Sequence, residues 1–395
     1  MTHDADIIVV GAGLVGLSAA IAFAQQGKKI VLVDAKKTEI KVTKTWDARI
    51  YALTPATENW LKEIGVWQLV DKTRVNDIHA MQLWNADSET PLILMDSDAD
   101  LMKLGTIAEN QNLMHALYNK LNALQANTHE ASGLVVNHVA CKSIENTEQG
   151  IRLTLDDGTQ LSAKLLVAAD GAHSFVRQQM SIPTNSKPFN QTAIAANFLA
   201  EKNHGDVARQ WFARHETLAL LPLPEQHVSI VWSVSTEMAA QLLTLSREQL
   251  AARVQEQSKS ILGKLKFVGE VLSFPLSQAT ATQLIAQRVV LIGDAAHQIH
   301  PMAGQGVNLG FRDVIAVQKL LMKVHALQDI GEHSFLRQYE RTRKVDIASM
   351  NGLTSGLDYL FASEQGALKK LSVWGMRQLN GQLVAKKVLI KQAVA

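Results

Sequence analysis

Two glycine-rich stretches hold the residues that could do chemistry. In "LIGDAAHQIHPMAGQGVNLGFRD", Leu291 to Asp313, a buried-strand pattern stops at Gly293-Asp294, and His300-Pro301 and Gly304-Gln305-Gly306 follow closely. Glycine costs backbone entropy and offers no side chain to pack. Such a run implies that something lies close against this backbone. The second stretch is Gly11-x-Gly13-x-x-Gly16, after the apolar run Ile7–Val10. There the first glycine makes a turn, the second admits a pyrophosphate, and the third lets helix and strand pack closely. The helix that follows offers free N–H groups and a partial positive charge to the phosphates. Asp34, eighteen residues beyond Gly16, ends the next apolar run and can accept from a ribose 2′-hydroxyl. That acid favours an unphosphorylated ribose, hence FAD or NAD over NADP.

These residues need a strand, a turn and a helix to place them. Ala5 to Ala35 supplies that unit: a β-branched strand, helical spacing through Leu17, Ala20, Ile21 and Ala24, a stop at Gly27, and a strand at Ile30–Val33. Helices are predicted over Asn59–Val70 and Asn110–Leu124, and short strands near Ile78–Trp84, Pro91–Met95, Gly133–Ala140 and Ile151–Leu155. Asp157-Gly158 reads as a hairpin turn. "KLLVAADGAHSFVR" (Lys164 to Arg177) repeats the pattern of buried strand, glycine turn and helix. From Thr192 to Phe274 alternating strands at Ala193–Leu199, Ala208–Ala213, Leu218–Leu221 and Val228–Val234, with one helix around Glu248–Leu262, predict an antiparallel sheet. Arg288–Ile292 returns to a buried strand, and helices run from about Gly306 onward.

The fold class that follows is α/β. A Rossmann-like nucleotide-binding domain, discontinuous over 1–75, 100–180 and 277–350, carries an inserted antiparallel-sheet substrate domain at 76–99 and 181–276. C-terminal helices occupy 351–395. With 395 residues, 47% of them hydrophobic and 19% charged, sizeable cores are expected and disorder is not. A net charge of +2 argues against a dedicated nucleic-acid binder, and the lone Cys141 fits a reducing compartment. Asp4 and Asp6 precede the first apolar run and glycines break it, so no signal peptide is expected, nor any apolar run of about eighteen residues to cross a membrane. The expected location is cytoplasmic.

"AADGAHSFVR" and the opening stretch resemble the two further fingerprints of the class A flavoprotein monooxygenases, which share the para-hydroxybenzoate-hydroxylase fold. Asp170-Gly171, with Ser174 and Arg177, is similar to the family's DG motif, and Gly293-Asp294 in "RVVLIGDAAHQIHP" to its GD motif. "DARIYALTPATENWLKEIGVW", from Asp47 to Trp67, is similar to the family's arginine segment at Arg49. Within the family the chain most resembles the ubiquinone-biosynthesis hydroxylases, whose "GDAAHxxHPxAGQGxNLGxRD" pattern runs without a gap from Gly293 to Asp313. "ENQNLMHAL" at Glu109 resembles another of their segments, which brings in Asn110. The resemblance covers essentially the whole chain.

It implies FAD as cofactor, with Gly11, Gly13, Gly16, Asp34, Arg49, Asn110, Asp170, Asp294, Gly306, Val307 and Asn308 around it. Asp294 would hold a ribityl hydroxyl. Gly304 and Gly306 would let the backbone lie against the isoalloxazine, and Pro301 would rigidify the approach and expose a carbonyl. The N–H groups of Val307 and Asn308 would face the pyrimidine edge and favour the anionic reduced flavin. Pro301, Gly304 and Gly306 are thus the flavin-proximal catalytic backbone. The implied reaction is hydroxylation of the aromatic ring of a polyprenylated ubiquinone precursor through a flavin C4a-hydroperoxide, with O2 consumed. One dinucleotide fingerprint leaves the electron donor, NAD(P)H or another, open, and Tyr51 and the inserted-domain residues leave the general base unassigned. The alternatives are a hydroxylase of a small soluble phenol and a flavin-binding, non-catalytic member of a quinone-biosynthesis complex.

His297 and His300 lack a cysteine or acidic partner at ligand spacing, so no metal is expected; hydrogen bonding around the flavin turn is the commoner role. His173 reads as a surface or packing residue. The tail after Gly366 carries Lys369, Lys370, Arg377, Lys386, Lys387 and Lys391 without an acid, while Leu368, Leu371, Trp374, Leu379 and Leu383 fall near one helical face. It reads as a helix packed by its apolar face with a solvated basic side. The sharper alternative is peripheral association with a membrane or a biosynthetic complex.

Overall fold

The computed structural model describes residues 3–36, 44–85, 90–126, 134–147, 149–213, 216–299, 306–325, 328–362 and 378–394. Ala5–Val10, Ile30–Val33, Gln160–Ala168 and Val289–Leu291 are strands whose apolar side chains are buried on both sides, as central parallel strands must be. With Ile285–Ala286 and Leu134–Asn137 at its ends they form one sheet, and Ile151–Leu155 and Cys141–Asn146 extend it antiparallel as a hairpin. Gly158 supplies the expected left-handed turn residue at φ 85°. Helices Leu14–Ala24, Asn110–Ala126 and Gly306–Leu321 cover this sheet, and their core runs through Leu17, Phe23, Leu117 and Phe311.

The second layer is an eight-stranded sheet. Its centre pairs Thr184–Ala200 with His227–Ser235 on one side and with Leu265–Ala281 on the other. One face packs through Ile194, Phe198, Leu218 and Trp232 on two helices, Thr236–Leu243 and Arg247–Gln257. The opposite face meets a three-stranded sheet (Ile50–Leu53, Val75–Ile78, Gly105–Glu109) around Ile78, Ile107, Ala208 and Leu223. Ala80–Asn85 and Leu92–Met95 complete the large sheet at its edge, through a parallel pairing with Val207–Ala213.

Several expectations need adjustment. The helix foreseen around Glu248–Leu262 is Arg247–Gln257, and an unforeseen one, Thr236–Leu243, precedes it; each is opened by a serine whose side chain accepts an N–H, Ser246 from Gln249 and Ser235 from Met238. The helix foreseen at Asn59–Val70 starts instead at Pro55, capped by Thr54, and ends at Glu63. The 17-residue strand Leu265–Ala281 was not foreseen, because Gly269 and Pro275 interrupt its alternation. Its register with Thr184–Ala200 holds it in place.

The tail helix Leu383–Val394 and the turn before it pack partly as expected: Leu379, Leu389 and the buried Ile390 join the core around Ile78 and Leu94, but Leu383 points outward and a basic residue goes in. Lys386 is buried against the Asp96–Ala99 turn, with Nζ 2.8 Å from Asp98, and Lys387 reaches Asp100 at 2.5 Å. Leu383, Val384 and Val388 face outward instead. The pairs to Asp98 and Asp100 and the burial of Ile390 together set its rotation. Leu368, Leu371 and Trp374 lie outside the described residues. Just before it, the Asn380 side chain takes the N–H of Ile93 and donates to the carbonyl of Pro91, at 2.9 and 2.8 Å. No helix among the described residues is long and apolar enough to cross a membrane.

Candidate active site

The parallel strands of the first sheet end at one level. Val33 pairs with Val10, Val10 with Ala168, and Ala168 with Leu291. The turns that follow bring Asp34, Gly11–Gly16, Asp170-Gly171 and Gly293-Asp294 together at the carboxyl ends of four adjacent strands. That edge is where open α/β sheets bind ligands. Segments scattered over nearly three hundred residues of sequence thus form one rim.

The glycine turn is built from backbone. Gly11 sits at φ 104°, and a Cβ there would come within 2.3 Å of the Ala169 carbonyl oxygen. A Cβ on Gly16 would lie 1.9 Å from the Gly11 oxygen. A Cβ on Gly13 would meet nothing within 4 Å among the described residues. Helix Leu14–Ala24 starts there with no side-chain cap and no acid in its first turn, so its positive end faces open space. Asp34 is braced toward the turn, its two oxygens accepting from the N–H of Ala12 at 2.6 Å and of Lys36 at 2.8 Å.

Along the rim, Asp170 accepts from the N–H of Val176 at 3.1 Å with one oxygen, while the other is buried without a partner. Burial raises this carboxyl above the usual range, against the pull of Ser174 and nearby N–H groups. Ser174 caps the short helix after it, and Arg177 crosses to the GD turn, donating to the carbonyls of Ala295 at 2.8 Å and Ala172 at 2.7 Å. His173 is exposed, as expected. Asp294 is exposed at the rim, yet the protein crowded around it raises its carboxyl, an effect that His297 and Arg49 oppose. Arg49 is also exposed there, 5.7 Å from the centre of the Tyr51 ring. Burial pushes the Tyr51 phenol up, and Arg49 opposes that too.

Asp47 sets the arginine segment against helix Asn110–Ala126. Its carboxylate accepts from the N–H of Arg49 at 2.9 Å and of Gln111 at 3.1 Å, and the Asn110 N–H donates to the Arg49 carbonyl at 2.9 Å. Asn308 is fully buried, and its side chain is engaged with the backbone of Ala52 at 2.8 Å and Thr54 at 3.0 Å. Only its main chain therefore remains for a cofactor. At Gly306 the nearest atom to an added Cβ, among the described residues, is Ile299 Cγ1 at 4.0 Å. Protein does not forbid a side chain there. His300, Pro301, Gly304 and Gln305 lie outside the described residues.

His297 hydrogen-bonds at the GD turn, as expected, but sequence reading missed the rest of the support behind it. His297 Nε2 lies 2.6 Å from Asp313, which also accepts from the Gly293 N–H at 2.8 Å and from Arg343 Nε at 2.7 Å. Burial alone would raise Asp313, but His297 and Arg343 outweigh it and hold the carboxyl low. Tyr339, one helical turn before Arg343, donates to the Leu291 carbonyl at 2.8 Å. Gly310 lets helix Gly306–Leu321 approach this turn: an added Cβ would sit 2.7 Å from Val15 and 3.3 Å from the Gly293 Cα. Of these, His297, the glycine and Asp313 stood inside the quoted stretch, whereas Tyr339 and Arg343 carried no signal in a charged helix. No group of three or more metal-ligating side chains occurs among the described residues.

FAD fits this rim. The open, uncapped helix end at Gly13 suits a diphosphate, and the buried Asp170 oxygen, unpartnered among the described residues, and the exposed Asp294 suit hydroxyl donors. Gly306 is a glycine where the described protein leaves room for more. The FAD binding domain family matches residues 4–350. Curated relatives match over nearly the whole chain: the mouse mitochondrial ubiquinone biosynthesis monooxygenase COQ6 is 31% identical over 95% of this chain and 88% of its own. The 3-demethoxyubiquinol 3-hydroxylase of Escherichia coli is 31% identical over 98% and 97%. The chain belongs to the class A FAD-dependent monooxygenases, in the ubiquinone-biosynthesis hydroxylase family. Another relative, the ubiquinone hydroxylase UbiL of Rhodospirillum rubrum, is 32% identical over 91% of this chain and 82% of its own. In fold it is similar to p-nitrophenol 4-monooxygenase PnpA from Pseudomonas putida, with a TM-score of 0.80 and 16% identity over 100% and 99% of the two chains. This FAD-dependent monooxygenase accordingly has the para-hydroxybenzoate-hydroxylase architecture, with a large antiparallel sheet beside its nucleotide-binding sheet.

Proposed function

We propose that this monooxygenase hydroxylates the aromatic ring of a polyprenylated ubiquinone precursor, using O2 and a reduced nicotinamide as electron donor. The supporting observation is the convergence of Asp34, the glycine turn, Asp170 and Asp294 at one level, in a chain similar end to end to ubiquinone hydroxylases. Bound FAD, once reduced, supplies the electrons and the oxygen-activating centre.

The chain's own residues position and enclose it. Gly11, Gly13, Gly16 and Asp34 hold the adenosine diphosphate half, Arg49 and Asn110 flank it, and Asp170 and Asp294 accept from its hydroxyls. Gly306 and the N–H groups of Val307 and Asn308 stand at the ring, and the family resemblance adds Pro301 and Gly304 to that set. Residues 1–75, 100–180 and 277–350 act as the FAD unit, and 76–99 and 181–276 as the substrate unit that excludes water. Peripheral contact with a lipid surface belongs to the same reading. Its supporting feature is the outward row Leu383, Val384 and Val388, rather than the paired Lys386 and Lys387.

The test uses purified protein with FAD, a reduced nicotinamide, a demethoxyquinol carrying a prenyl tail, and 18O2. The expected product gains one oxygen atom, labelled from the gas. FAD reduction without any oxygenated product would favour a non-catalytic flavin-binding subunit. Equal turnover of a simple phenol would favour the small-phenol hydroxylase. For the lipid contact, Val384→Ser/Val388→Ser should lower cosedimentation with liposomes while FAD content stays unchanged; unchanged cosedimentation would remove that part of the reading.

A further inference from the structure

The turn that carries Asp294 is held at alternate residues. Leu291 is tied through its carbonyl to Tyr339, Gly293 through its N–H to Asp313, Ala295 through its carbonyl to Arg177, and His297 through Nε2 to Asp313. Asp294 sits in the middle, exposed and without a hydrogen bond among the described residues. Three of the four tethers lead to helix His333–Ala362, through Tyr339 directly and through Arg343, which grips Asp313. Arg343 also pairs with Asp346 and donates to the Leu309 carbonyl at 3.3 Å, so it clamps helix Gly306–Leu321 as well.

Stability does not account for this arrangement. Asp313 is 0% and Arg343 4% exposed, and replacing a buried ion pair with apolar groups of equal volume is often neutral or stabilising. What apolar packing cannot supply is direction: hydrogen bonds to one carboxylate fix both flanks of Asp294 relative to the helix that begins at Gly306. A cofactor spanning Asp294 and that helix start needs their separation set in advance.

We propose that Arg343, with Tyr339, is a positioning residue for the flavin site, acting through Asp313 on the Asp294 turn. The proposal rests on the assignment of Asp294 to FAD binding. Its test is a mutant cycle on full-length protein stripped of FAD, read by flavin fluorescence on rebinding and by melting of the FAD-free form. Asp313→Asn/Arg343→Gln removes both charges and keeps polar groups in place. It should melt within a few degrees of the parent yet bind FAD on the order of tenfold more weakly. Combined with Asp294→Ala it should bind no more weakly than Asp294→Ala alone, because coupled residues are not additive.

Tyr339→Phe removes one tether and little volume. It should weaken FAD binding about threefold and lose that effect in the Asp294→Ala background, which keeps the idea testable should the neutral pair fail to fold. Additive losses, or unchanged FAD affinity in Tyr339→Phe, would overturn the positioning role alone. An Asp294→Ala protein that binds FAD like the parent would overturn the Asp294 assignment and the positioning role together.

Discussion

The turn at Gly11–Gly16 and the turn at Gly293–Asp294 stand two strands apart on one sheet, and they are made in different ways. The first is local and nearly all backbone: two glycines with no room for a methyl group, and one carboxylate from the adjacent strand. The second also turns on a glycine, Gly293 at φ 59°, but it is held in shape by side chains from elsewhere: Arg177, Asp313, Tyr339 and Arg343. A backbone-built site fails by steric collision. A tethered site fails by loss of direction, with the fold intact.

The largest effect should come from Gly16→Val. Its side chain would collide with the Gly11 carbonyl, which is 1.9 Å from an added Cβ, and overpacking of this kind costs ~3 kcal/mol or more. Urea unfolding should show a lower midpoint, or the protein should be insoluble; an unchanged midpoint would refute the close approach. Gly306→Val separates the two modes of failure. The described protein leaves space at that position, so the FAD-free melt should move by only a few degrees while FAD uptake is lost. A variant that still binds FAD stoichiometrically would show that the glycine serves the fold.

Asp294→Ala should be milder. One charge-assisted hydrogen bond is worth about 1.5–3 kcal/mol, hence roughly a ten- to hundredfold weaker FAD complex with an unchanged melt of the FAD-free form. Fluorescence on dilution reads it.

The smallest effect concerns pH. Asp294 is raised by its crowded surroundings, so it takes up a proton at a pH above the ordinary carboxylate range, whereas Asp313 is held low and stays charged there. Only the ionised form accepts strongly from a hydroxyl. FAD affinity should therefore fall as pH drops through that window, by no more than about tenfold per unit for one proton. Asp294→Asn should reduce the slope, leaving the part due to Asp170, whose carboxyl burial also raises. A slope unchanged in Asp294→Asn would assign it to another group.

The same contrast explains what could be read in advance. Gly11, Gly13, Gly16 and Asp34 announce their geometry because spacing along one βαβ unit fixes it. The family stretch from Gly293 to Asp313 marked the second turn, yet nothing in "YERTRKVD" distinguishes Tyr339 and Arg343 from surface residues of a charged helix. Their meaning depends on which strand the helix crosses. The strand Leu265–Ala281 was hidden for a related reason: its neighbours impose the pairing, and its own alternation is broken. Lys386 looked solvated because the acids that bury it lie nearly three hundred residues earlier.

The side chain of Asn380 bears on a different hazard. Leu92–Met95 is the last strand of the large sheet, and a bare edge strand invites another chain to add itself. The Asn380 amide occupies an N–H and a carbonyl of that segment, imitating the partner strand that would otherwise be recruited. The tail thus works as a terminator of sheet growth, and protein lacking it would present a growing edge for self-association into oligomers or fibrils.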